Sequence, residues 1–160
     1  MLELIHHGNH CLADKPIYSL EIEAAQNIPE RIGIGASHFV CFLAMDAEKL
    51  SETQIQTLGR HLLNLGCTYF CIWGPDCERA HDLIDLADLT DHPDGPWAMT
   101  SWHSNEPFLD ALWTALNAAW PDPAFENYPH AVLALTIGST DWASEVRRAL
   151  SDLSSFNHSI

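Results

Sequence analysis

Four apolar runs of strand length, each followed by a stretch of helical periodicity, constrain this chain more than any other feature. They lie at residues 38–45 (HFVCFLAM), 67–73 (CTYFCIW), 97–102 (WAMTSW) and 131–137 (AVLALTI). A continuously apolar strand is one buried on both faces, as in parallel sheets covered by helices. Strands that alternate with helices need crossover connections, and these give a mainly parallel sheet. The expected fold is therefore α/β, a three-layer α/β/α sandwich. Its sheet would be Rossmann-like or flavodoxin-like and built from four βα units. Upstream, Tyr18, Leu20 and Ile22 alternate with Ser19, Glu21 and Glu23, which reads as a half-exposed strand over residues 17–23 added at one edge of the sheet.

The helical segments carry their own signals. Ser51 and Gln54 form an S-x-x-Q capping box before a stripe of Ile55, Leu58, Leu62 and Leu65 that ends at Gly66. The second helix begins at Asp76 or Cys77, after Gly74-Pro75, with Leu83, Ile84 and Ala87 on its core side. The third has Pro107 in its first turn and runs to about Trp120, apolar on two adjoining faces. Trp113 and Trp120 are its candidates for a partner surface, with core packing the preferred reading. The fourth follows Gly138-Ser139-Thr140 and places Trp142, Val146, Ala149 and Leu150 along one side. A single domain is expected over residues 1–160, with a partly ordered polar arm at 1–15 and a polar tail at 154–160.

Charge narrows the function classes. With 22 acidic and 7 basic residues the formal net charge is −15. Nucleic acid and anionic membrane are disfavoured, because both need clustered Lys and Arg. A protein partner with a basic surface, or a cation, is electrostatically easier. No apolar run reaches the roughly 18 residues that span a bilayer. The start, MLELIHHGNHCLADK, lacks the features of a signal peptide. Cys11, Cys41, Cys67, Cys71 and Cys77 are odd in number and three of them sit in apolar strands, which fits a reducing compartment. A cytoplasmic protein is expected.

In open α/β sheets ligands sit beyond the carboxyl ends of the strands. Those ends would bring together Asp46, then Trp73 with Asp76 and Cys77, then Trp102 with His103, then Ser139, Thr140 and Asp141. Three chemistries compete there. A nucleotide-like ligand could rest on backbone N–H groups and stack on Trp73 or Trp102. However, neither G-x-G-x-x-G nor G-x4-G-K-[ST] occurs, so a dinucleotide or P-loop site is not expected. Cys77, in a helix first turn with His81 one turn later, could form a thiolate–imidazolium pair. Its neighbours Asp76 and Glu78 oppose thiolate formation, and the phosphatase-like C-x5-R loop fails because Cys77 stands where Arg is required. Asp46, Asp76, His103 and Asp141 could hold a divalent metal (Mg²⁺, Mn²⁺ or Zn²⁺), with Cys77 and His81 as a second set. Against that, helix N-capping alone accounts for Asp76, Asn105 and Thr140 or Asp141. His103 is the residue capping does not explain, although a hydrogen-bonded structural histidine is the commoner outcome. His6, His7, His10 and Cys11 form a further candidate metal group, without a C-x2-C spacing. No G-x-S-x-G elbow is present.

The segments FCIWGPDCERAHD, MTSWHSNEPFLDALWTAL and LALTIG…WASEVRRAL resemble a small bacterial family of uncharacterised domains. That family has a Trp-Gly-Pro-Asp-Cys turn, here at residues 73–77, and a Thr-Trp-His strand end, here 101–103 with Ser101 in place of Thr. An Ala-Leu-Trp helix follows, here at 111–113. The likeness covers roughly residues 39–150 and implies a compact α/β domain. It carries no activity and transfers no site.

The leading expectation is a protein that works by binding, either a basic protein partner (an accessory or immunity-type role) or a small ligand at the strand-end cleft. The alternative is a metal-assisted hydrolase using Asp46, Asp76, His103 and Asp141.

Overall fold

The computed structural model describes residues 2–10 and 13–157. Its elements in chain order are β1 (Ile5–Asn9), β2 (Pro16–Ile22), β3 (His38–Ala44), α1 (Glu52–Asn64), β4 (Cys67–Trp73), α2 (Cys77–Asp91), β5 (Met99–Trp102), α3 (Phe108–Asn117), β6 (His130–Ile137), α4 (Thr140–Leu150) and α5 (Leu153–Asn157). The strands form one six-stranded sheet in the order β1-β2-β6-β3-β4-β5. Every pairing is parallel except β1 with β2. The expected mainly parallel α/β sheet is therefore present.

Alternation along β3 shows why the central strands read as unbroken apolar runs. Phe39, Cys41 and Leu43 pack in one cluster with Ile55, Leu58 and Leu62 of α1 and Ala80 and Ile84 of α2. Val40, Phe42 and Ala44 pack in the other with Phe108 and Leu112 of α3 and Val146 and Leu150 of α4. Helices α1 and α2 thus cover one face of the sheet, and α3, α4 and α5 cover the other. Helix α1 starts with the expected box: Gln54 N–H donates to Ser51 Oγ at 3.1 Å, and Ser51 N–H donates to Gln54 Oε1 at 2.9 Å. Replacing Ser51 with Ala leaves one first-turn donor, Gln54 N–H, to water and should cost about 1 kcal/mol in denaturant unfolding, with the m-value unchanged.

Several expectations need correction. Residues 17–23 are not an edge strand. β2 lies inside the sheet between β1 and β6, and Ser19 and Tyr18 are buried. Its outer edge is covered by the supposed arm, because a buried strand cannot leave its N–H groups unpaired. In β1, His6 stacks on Tyr18 at 4.8 Å and His7 Nε2 meets Ser19 Oγ at 2.7 Å. His10 bonds Asn117 at 2.6 Å. The three histidines are thereby spread over separate partners and do not form a ligand set; Cys11 lies outside the described residues.

Helix α3 stops at Asn117, short of Trp120, where the Asn117 side chain turns to His10 and Asn157. Pro107 occupies the position before the helix, not its first turn. The tail is helical through Asn157 and buries Phe156; residues 158–160 lie outside the description. Trp113 packs against the core, while Trp120 is 72% exposed. No described helix is long and apolar enough to cross a membrane.

His130, at the start of β6, supplies a pH-dependent element. Its Nδ1 contacts the Tyr128 carbonyl oxygen at 2.8 Å, so that nitrogen carries the proton, and Nε2 accepts from Thr68 Oγ1 at 2.8 Å. Burial is the main cause that lowers its pKa. A base with a lowered folded pKa keeps its full contribution above the unfolded value near 6.5 and loses it as the pH falls below that. Thermal midpoints measured from pH 7.5 to 5.5 should therefore fall less steeply for His130→Gln than for the parent.

Candidate functional site

The junction after β4 is built by close backbone contact. Gly74 sits at φ 124°, and a Cβ there would come within 2.0 Å of the Met45 carbonyl oxygen. Met45 N–H donates to the Trp73 carbonyl at 3.1 Å and Ala47 N–H to the Pro75 carbonyl at 3.0 Å. The carboxyl ends of β3 and β4 are thus zipped together. Trp73 fills the space beside them, edge-on to Phe108 at 4.9 Å and to Trp142 at 5.2 Å. Its Nε1–H donates to the Glu106 carbonyl at 2.8 Å. Trp73 therefore joins β4 to α3 and α4, and its ring is already engaged edge-on by two aromatic side chains.

Several capping assignments also change. Asp76 is in the left-handed region at φ 59° and makes no cap bond; its carboxylate lies 3.6 Å from Arg79. Arg79 in turn donates to the carbonyls of Ala47 and Leu50. Asp46 caps a 3-10 turn through Glu48 N–H and lies 3.8 Å from Lys49. Ser139, not Thr140 or Asp141, caps α4, accepting from Trp142 N–H at 3.2 Å. Asn105 has φ 58° and caps nothing, since Pro107 precedes α3.

Among the described residues, no group of three or more His, Cys, Asp and Glu side chains is placed to hold a metal. Asp46, Asp76, His103 and Asp141 therefore do not converge, and the metal reading of the strand ends is corrected. Asp46 and Asp76 are turned to their own basic neighbours, and His103 to its own loop. The Cys77–His81 pair does not form either. Cys77, buried, faces Ser104 Oγ at 3.5 Å. His81 is held by Asp82 at 2.8 Å and Asp85 at 3.3 Å, with its ring 4.5 Å from that of Trp102.

What the structure does gather lies along β5. Ser101 Oγ meets His103 Nε2 at 2.9 Å, and His103 Nδ1 meets Glu106 Oε2 at 2.7 Å. His103 is buried, and its N–H continues the ladder to the Ile72 carbonyl at 3.0 Å. Sequence reasoning singled out His103 but missed Ser101 and Glu106 as its partners. No spacing rule announces the left-handed residue, Asn105, in the loop between His103 and Glu106.

β5 is also an edge strand of the sheet, as β1 is at the other side, and among the described residues no strand pairs with its outer side. Amide directions alternate along a strand, so with His103 N–H aimed at β4, Ser101 N–H also points inward and Thr100 and Trp102 point outward. Trp97 (43% exposed), Met99 and Trp102 (44%) flank this edge, and Leu89 of α2 is exposed beside it. A cavity of about 380 Å³ runs along it, lined by Asp85, Asp88, Leu89, Trp97, Met99 and Asp122 among others.

Helix α2 fixes that edge through its carboxylates. Asp88, buried, accepts from Ala98 N–H at 2.9 Å and from His92 Nδ1 at 2.9 Å. Asp85 accepts from Thr100 Oγ1 at 2.6 Å. The sequence signal for this face is the pair Asp85 and Asp88, spaced three apart on α2.

A family model described as "Domain of unknown function (DUF7684)" matches residues 17–153, and the chain belongs to that family. No curated protein and no solved structure matches it.

Proposed function

We propose that this member of the DUF7684 family is a binding module that takes an extended, basic segment of a protein partner along β5. The observation that carries the reading is the unpaired outer edge of β5, flanked by exposed Trp97, Met99 and Trp102 and by carboxylates of α2. An open edge offers main-chain donors and acceptors to an added strand, and the flanking pockets read its alternate side chains. Exposed apolar side chains gathered on one side of a soluble protein mark an interaction surface.

Charge selects the occupant. Asp82 and Asp85 remain 68% and 46% exposed at the side chain, and the chain as a whole is formally −15. Two copies of this edge would bring like charges together, which blunts self-pairing. Lys and Arg alternating with apolar residues would meet both features at once. An accessory or immunity-type role, covering a basic partner in the cytoplasm, is the form of function this reading supports. The same charge opposes nucleic acid and anionic membrane.

The test is fluorescence anisotropy with a labelled peptide of alternating Lys and Val or Leu, against the same peptide with Glu for Lys. The reading expects saturable binding of the Lys peptide only, weakening as ionic strength rises. Equal binding of both peptides, or of neither, contradicts it.

A further inference from the structure

The Ser101–His103–Glu106 arrangement is directional, and the direction is informative. An ionised Glu106 can only accept, so the 2.7 Å contact places the imidazole proton on Nδ1. Nε2 is then the acceptor for the Ser101 hydroxyl at 2.9 Å. This is the tautomer a general base needs, with the carboxylate on the far nitrogen and the hydroxyl on the near one. We propose that Ser101 is the nucleophile of an acyl-transfer site, with His103 as its general base and Glu106 as the residue that positions and charges-balances the imidazole.

The surroundings suit that assignment. His103 is buried and tied by its backbone to β4, and the Glu106 carbonyl is held by Trp73 Nε1–H, so both ends of the relay are fixed. Ser101 is half-buried and stands on an edge strand, on the same face as Met99. Asn105, at φ 58°, lies in the loop that returns Glu106 to the ring. Cys71 pairs with Ser101 in register, but burial pushes its thiol pKa up to about 12, so it remains protonated and does not compete as a nucleophile.

The substrate class is a small carboxylic ester. Ser101 Oγ bonds to the carbonyl carbon while its proton passes to His103 Nε2. The ester C–O bond then breaks, and His103 returns the proton to the departing alcohol oxygen. Water next attacks the acyl-Ser101 ester and gives its proton to His103. The carboxylic acid leaves as Ser101 takes that proton back. Ester and water thus become acid and alcohol, with no redox partner needed.

The experiment treats the full chain with a fluorophosphonate probe and with p-nitrophenyl acetate, locating any adduct by peptide mass mapping. The expected result is one adduct, on Ser101, absent in Ser101→Ala. His103→Gln should slow labelling by roughly 100-fold or more, the usual worth of a general base. Glu106→Gln should slow it less and displace the pH profile of labelling. Circular dichroism reports whether each variant folds; if His103→Gln does not, Glu106→Gln decides. No adduct on the folded parent, an adduct elsewhere, or labelling unchanged in the folded His103 and Glu106 variants would overturn the assignment.

Discussion

Met99→Ala with Trp102→Ala should weaken binding of the basic strand-forming peptide by roughly 100-fold, since each buried anchor lost from an interface core costs about 1–2 kcal/mol. The two side chains point to opposite faces of β5, so a partner strand laid on the edge would touch both. Both are already more than two-fifths exposed, so truncation removes little native burial, and the thermal midpoint should move by only a few degrees. Thr100→Pro asks the same question of the backbone. Its N–H points outward, so proline there leaves the ladder to β4 intact while deleting one donor to the partner. It also removes the Thr100–Asp85 hydrogen bond, so its stability is measured alongside. Affinity retained in both variants, measured by the same anisotropy titration, would place the partner elsewhere on the molecule.

Gly74→Ala carries the largest expected loss of stability. The new Cβ would lie 2.0 Å from the Met45 carbonyl oxygen, at a φ of 124° that side chains rarely adopt. Relief requires parting the ends of β3 and β4, which the Met45–Trp73 and Ala47–Pro75 bonds hold together. Overpacking and backbone strain together should cost about 3–5 kcal/mol. For a domain of this size the thermal midpoint should drop by roughly 10 °C. Gly33→Ala is the control, because a Cβ there meets nothing within 4 Å. Equal midpoints for the two variants would contradict this account of the β3–β4 junction.

The central fold was legible because burial on both faces writes itself into the sequence. β4 occupies Cys67–Trp73 as the apolar run indicates, and the Ser51–Gln54 box marks the start of α1. β1 was not legible, because its five residues, IHHGN, are polar and glycine-bearing and gain their place only by pairing with β2. β2 looked like an edge for a related reason. Ser19 and Glu21 read as solvent-facing, yet they are partnered by His7 and Arg147.

At the strand ends the residue types were right but the geometry was not. Asp76 turned out left-handed, which no capping rule anticipates, and Asp46 is engaged locally. His103 was legible as a ring just past a strand end, but its two partners depend on how residues 104–106 fold. Asp85 and Asp88 of α2 were not singled out, because their meaning depends on β5, beside them, being an edge strand.

Residue-resolved amide hydrogen exchange, with and without the Lys-containing peptide, tests the docking of an extended segment on β5 most directly. The outward N–H groups of Thr100 and Trp102 should slow by tenfold or more in the complex, while Ser101 and His103, already bonded to β4, should barely change. Protection that does not alternate along residues 100–103, or that maps only to another surface while the peptide is bound, would contradict it.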